Sequence, residues 1–78
     1  MDVFENKKAV QSIQDHQLLK AYKKAKKYIV SGNYQPVQLK KRKPHSKNIW
    51  YFRITKKYRA FALKKNNTLE VFEISDHQ

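Results

Sequence analysis

Apolar residues recur at helical spacing from Phe4 to Val30 and alternate with polar ones after Pro36, so the chain divides into a helical half and a strand half. In the first half they fall at Phe4, Ala9, Val10 and Ile13, then at Leu18, Leu19, Tyr22, Ala25 and Ile29, with lysines filling the other face. The pattern predicts two helices over about 4–30, broken near Asp15 into a hairpin. Asp15 is expected to cap the second helix by accepting a backbone N–H. Ser31-Gly32-Asn33 is expected to stop it, since Gly32 can take the left-handed conformation that follows a helix end.

Beyond Pro36 the residues become β-branched and aromatic, and strands are expected over about 37–75. A short strand Val37-Gln38-Leu39 should precede a basic loop, Lys40 to Lys47, in which Pro44 excludes regular pairing. Ile49 to Thr55 and Tyr58 to Leu63 then read as a hairpin turning at Lys56-Lys57. Asn66-Asn67 reads as a second turn into Thr68 to Ile74, because Asn tolerates positive φ.

Alternation assigns the faces. Trp50, Phe52 and Ile54 share one side, with Tyr51 and Arg53 on the other; Tyr58, Ala60 and Ala62 share a side, with Arg59, Phe61 and Leu63 opposite. The small alanines leave room for a helix to dock. The expected architecture is α+β, a single domain over 1–78 with a helical hairpin on one face of a small, mainly antiparallel sheet. Tyr51, Arg53 and Arg59 would lie on the uncovered face, while Trp50 and Phe52 belong to the core.

Charge changes the picture. No carboxylate occurs between Asp15 and Glu70, yet the 54 residues between them hold sixteen of the eighteen Lys and Arg. With a formal charge of +12 and pI ≈ 10.1, the domain repels itself and invites a polyanionic partner. Lys40, Lys41, Arg42, Lys43, Lys47, Lys56 and Lys57 are the candidate nucleic-acid contacts. The lysine face of the second helix (Lys20, Lys23, Lys24, Lys26, Lys27) has no acids at i,i+4 to balance it, which favours phosphates or an acidic partner over a merely solvated surface. His16 is expected to be solvated. Cysteine is absent, and no apolar run approaches a membrane span or a signal-peptide core, so a cytoplasmic location without membrane contact is expected.

Conventional catalytic signatures are missing: there is no glycine-rich phosphate loop, no histidine pair at metal spacing and no cysteine nucleophile. Neither a metal nor another cofactor is expected. The cations, aromatics and one terminal histidine that remain suit attack of an RNA 2′-hydroxyl on its own 3′-phosphate, which needs only a base, an acid and positive charge.

The order Leu39-Lys40-Lys41, basic loop, Ile49-Trp50-Tyr51-Phe52-Arg53-Ile54, Tyr58-Arg59-Ala60-Phe61-Ala62 and Val71-Phe72-Glu73-Ile74-Ser75-Asp76-His77 resembles the RelE/ParE toxin superfamily over nearly the whole chain. The resemblance implies a bacterial toxin of a type II toxin–antitoxin system. RelE-like members cut mRNA in the ribosomal A site without metal, and ParE-like members poison DNA gyrase. On this reading Arg59 matches the arginine that contacts the scissile phosphate, Arg53 a basic position of the preceding strand, and His77 the terminal histidine. The implied partners are the ribosome, its mRNA and a cognate antitoxin laying an acidic amphipathic segment across the basic domain.

Two departures from the family pattern bear on chemistry. Many cleaving relatives continue past the histidine with an arginine and a tyrosine-bearing segment, whereas this sequence ends at Gln78; the usual long first strand is reduced to something like Asp2-Val3-Phe4. Proton transfer then falls to Tyr51, His45 or His77. Otherwise the chain acts by binding alone, as a gyrase inhibitor, a silent relative or a simple nucleic-acid-binding module.

Overall fold

A computed structural model describes residues 1–76 of the chain. The order is strand β1 (Asp2–Glu5), helix α1 (Lys7–Asp15), helix α2 (Leu19–Val30), then strands β2 (Lys40–Lys41), β3 (Ile49–Arg53), β4 (Tyr58–Lys65) and β5 (Thr68–Asp76). The strands form one sheet in the order β1-β5-β4-β3-β2, antiparallel except for the parallel β1–β5 pair. The helices pack on one face of it, the α+β arrangement expected from the sequence.

The core lies between the layers. Phe52, Ala60, Ala62, Leu69, Val71 and Ile74 from the sheet meet Ala9, Ile13, Tyr22, Ala25 and Ile29 from the helices. Ala60 and Ala62 are fully buried, so their missing side-chain bulk is what lets the helices approach. Trp50 is only half-buried at the edge of this core, while Phe52 is fully enclosed beside Tyr22, ring centroids 6.2 Å apart. One irregularity keeps β5 in phase: Phe61 faces Glu73 but Ala62 faces Val71, so Phe72 is an extra residue. The bulge lets Val71 and Ile74, three apart, both point inward.

Several expectations need correction. Phe4 is not helical: it lies on β1 and is 61% exposed. The helix starts only after Asn6, whose side-chain oxygen accepts the Ala9 N–H at 2.8 Å. Asp15 does not cap α2; it is the last residue of α1 and accepts a hydrogen bond from Gln11 Nε2. α1 closes through Gln17 in the left-handed conformation (φ 55°), with the Leu18 N–H donating to the Ile13 carbonyl at 2.8 Å and Leu18 buried near Ile13. α2 ends on the same device, with Gly32 (φ 82°) as foreseen and Asn33 N–H donating to Tyr28 O.

The segment Val37-Gln38-Leu39 is not a strand. Gln35–Val37 is a single 3₁₀ turn with Pro36 at its second position, and Gln38 is left-handed, so pairing begins only at Lys40. Lys40 and Lys41 therefore leave the predicted loop and form β2 against Tyr51 and Trp50. The β3–β4 connection is also wider than a turn at Lys56-Lys57. β3 ends at Arg53, and Thr55 Oγ1 closes the loop by accepting the N–H groups of Lys57 (3.2 Å) and Tyr58 (3.1 Å). Asn66 takes the positive φ of the second turn, and β4 and β5 run to Lys65 and Asp76, past the expected ends.

Candidate functional site

The sheet face away from the helices is built by the register of β3 and β4. Tyr51 stands opposite Phe61 and Arg53 opposite Arg59, and residues so paired share a face. The Tyr51 and Phe61 rings lie 5.7 Å apart. The Arg59 guanidinium sits over Tyr51 at 5.2 Å, and that of Arg42, just beyond β2, over Phe61 at 5.3 Å. The result is a continuous ladder, Arg42, Phe61, Tyr51, Arg59. Neither Tyr51 nor Phe61 belongs to the hydrophobic core, although both are large enough to fill one.

Electrostatically the ladder is open. Among the described residues the ion pairs are Lys8–Glu73, Lys26–Glu5 and Lys57–Asp76, so Arg42, Arg53 and Arg59 have no described carboxylate within salt-bridge distance. Arg53 is oriented by its own hairpin, its Nε donating to Thr55 O at 3.3 Å, and also borders a cleft with Lys24, Tyr28 and Pro36. Glu73, opposite Phe61, bounds the ladder on the β5 side, where Lys8 Nζ approaches it at 3.9 Å.

The remaining candidates separate. Lys40 is exposed and opposite Tyr51, hence on the ladder's face; Lys41, opposite Trp50, faces the helix side. Arg42, Lys43 and Lys47 line a shallow depression with Pro44 and Ile49 at one end of β3. Lys56 is exposed on the hairpin loop at the other end. Lys57 turns away, 5.5 Å over Tyr58 and 3.9 Å from Asp76. His77 lies outside the described residues. His16, expected to be merely solvated, is exposed but stacks on Tyr58 at 4.8 Å, its Nδ1 3.2 Å from the Tyr58 hydroxyl.

Phe61 is the site residue that sequence reasoning passed over. Alternation had put it beside Arg59 and opposite the core, which was signal enough. The Arg42 contact carried no such signal, because it depends on where β2 pairs.

A second polar group is structural. Glu5 Oε2 accepts the Tyr22 hydroxyl at 2.7 Å and the Lys26 ammonium at 2.9 Å, tying α2 to β1. Burial, then the hydrogen bond and negative charge of Glu5, push the Tyr22 phenol well above its ordinary range. Among the described residues no cluster of His, Cys, Asp or Glu could hold a metal ion, and no helix is long and apolar enough to cross a membrane.

No protein-family model and no curated protein matches the chain.

Proposed function

We propose that this chain is the toxin of a toxin–antitoxin pair, a metal-independent endoribonuclease that cuts mRNA on the ribosome in the cytoplasm. The observation that carries the reading is the pair Arg53 and Arg59, side by side on an open sheet face and bonded to no described carboxylate. In the reaction the RNA 2′-oxygen bonds to the adjacent phosphorus and the bond to the 5′-oxygen breaks. The products are a 2′,3′-cyclic phosphate and a 5′-hydroxyl. A base takes the 2′-proton and an acid supplies one to the leaving oxygen, with Tyr51, His45 and His77 as the candidates. Arg59 and Arg53 stabilise the charge that builds on the phosphoryl oxygens.

The antitoxin in this reading carries an acidic amphipathic segment that neutralises the basic surface. The test is induced expression in bacteria with and without the neighbouring gene, mapping mRNA 5′ ends. Cuts within translated codons, suppressed by the neighbour, are expected. DNA damage without mRNA cuts would replace this reading with gyrase poisoning.

A further inference from the structure

We infer that the Tyr51–Phe61 pair is a nucleobase platform, so that the sheet selects single-stranded RNA by stacking a base against Phe61 while Arg59 and Arg53 hold the neighbouring phosphate. The inference rests on the RNA-binding part of the proposed function and adds to it a class of substrate and a base subsite.

Large aromatic side chains are normally placed where they bury area. Tyr51 and Phe61 instead lie half-exposed on the face opposite the helices, outside the core, each with a guanidinium over its ring and with Lys40 and Glu73 as their outer cross-strand neighbours. A flat ring beneath a cation suits a base beneath a cation, since guanidinium planes stack on bases as they do on aromatic side chains. Arg42 is exposed, and its side chain makes no hydrogen bond or ion pair with another described residue, so it can give up its place on Phe61 or cover the base from outside.

Spacing agrees. The aromatic row and the Arg53–Arg59 row are two residues apart along the strands, about 6.7 Å at the usual rise. That is close to the reach from a phosphate to the base of its own nucleotide. Beyond the aromatics, Arg42, Lys43 and Lys47 gather at the opposite end of β3, placed for the next phosphates. A duplex cannot use this surface, because its base faces are hidden in its own stack. An acidic peptide would satisfy the cations yet leave the rings without a planar partner.

The test is equilibrium binding of the full chain, at one salt concentration, to short fluorescent 2′-O-methyl RNA, which keeps its bases but cannot be cleaved. Its comparators are the same strand with abasic residues, a duplex of equal length and polyglutamate. The intact single strand should bind about tenfold more tightly than the abasic strand, within the range of one stacked base. Phe61→Leu should erase that difference, Phe61→Tyr should keep it, and Arg59→Ala should weaken both strands alike. Equal affinity for intact and abasic strands, or tighter binding of duplex or polyglutamate, overturns the platform while leaving a phosphate-binding face. Failure of every RNA probe to bind overturns the RNA reading as well.

Discussion

Arg53 and Arg59 occupy directly opposed positions on β3 and β4, two like charges at a single cross-strand pair. Such a pair works against the sheet, by roughly 0.2–1 kcal/mol relative to a neutral one. Part of the opposition is offset by the Arg59 contact with Tyr51 and the Arg53 bond to Thr55. An anion held between the two would remove it fully, as a phosphate does in the proposed function.

Arg59→Ala should therefore leave the melting temperature nearly unchanged, a stability shift within about 1 kcal/mol, while abolishing growth inhibition. If the arginine acts as a removed oxyanion-type donor would, cleavage should fall by on the order of 10²-fold or more. The double Arg53→Ala/Arg59→Ala variant should lose less than the product of the single losses, because the two act on one phosphate. A well-folded Arg59→Ala protein with full toxicity would refute this placement.

The core makes a graded prediction. Phe52 is fully buried beside Tyr22, so Phe52→Ala should cost about 3–5 kcal/mol through lost contacts and a cavity. Trp50 is half-buried at the core's edge, its Nε1 donating to Asn48 Oδ1 at 3.2 Å. Trp50→Ala should cost less, roughly 1.5–2.5 kcal/mol, half the penalty of a fully enclosed aromatic. Urea midpoints give the order directly, and a larger loss at Trp50 would contradict the packing described.

The meander was legible because period two is a local signal: Trp50, Phe52, Ala60 and Ala62 each had to face inward once one of them did. β1 was only half-legible. Four residues that pair in parallel with β5, sixty-odd positions away, leave no local mark that separates Phe4 from the helical run after it. The end of α1 was misread for a related reason, since Gln17 adopts a left-handed conformation usually given to Gly or Asn, and Asp15 offered a simpler cap. The site followed the same division. The common face of Tyr51, Arg53 and Arg59 came from alternation and the roles expected of the two arginines from the family resemblance, whereas Arg42 over Phe61 and Lys57 beside Asp76 depend on register and loop width.

Tyr22 gives the fold a pH dependence. Its phenol is held neutral in the folded protein, far above its ordinary range, while in the unfolded chain it ionises near pH 10. The folded state then keeps a proton that the unfolded state releases, so this contribution is complete below about pH 10 and is lost as pH rises beyond it, at up to about 1.4 kcal/mol per pH unit. Tyr22→Phe should lower stability at neutral pH, by about 1.5–3 kcal/mol for a hydrogen bond to a charged group, and flatten the alkaline slope. Melting temperatures of both proteins from pH 8 to pH 11 check it; parallel curves would mean that Tyr22 ionises freely.

Salt separates the lysines by what already surrounds them. Each cation engaging a phosphate releases a counterion, so about six contacts should weaken single-stranded RNA binding on the order of 300-fold between 50 and 200 mM salt. The contributions should not be equal. Lys43 and Lys47 are exposed beside Arg42 and have no described carboxylate partner, so each substitution by Gln should reduce the slope of log affinity against log salt by about 0.7, the value for a single strand. Lys57, 3.9 Å from Asp76, is already partly neutralised, and Lys57→Gln should change the slope less. Lys26 is committed to Glu5 at 2.9 Å, so Lys26→Gln should leave the slope unchanged and lower the melting temperature instead. Equal slope changes at all four positions would mean that the whole surface acts as a diffuse charge rather than through the ladder and the Lys43–Lys47 end of the sheet.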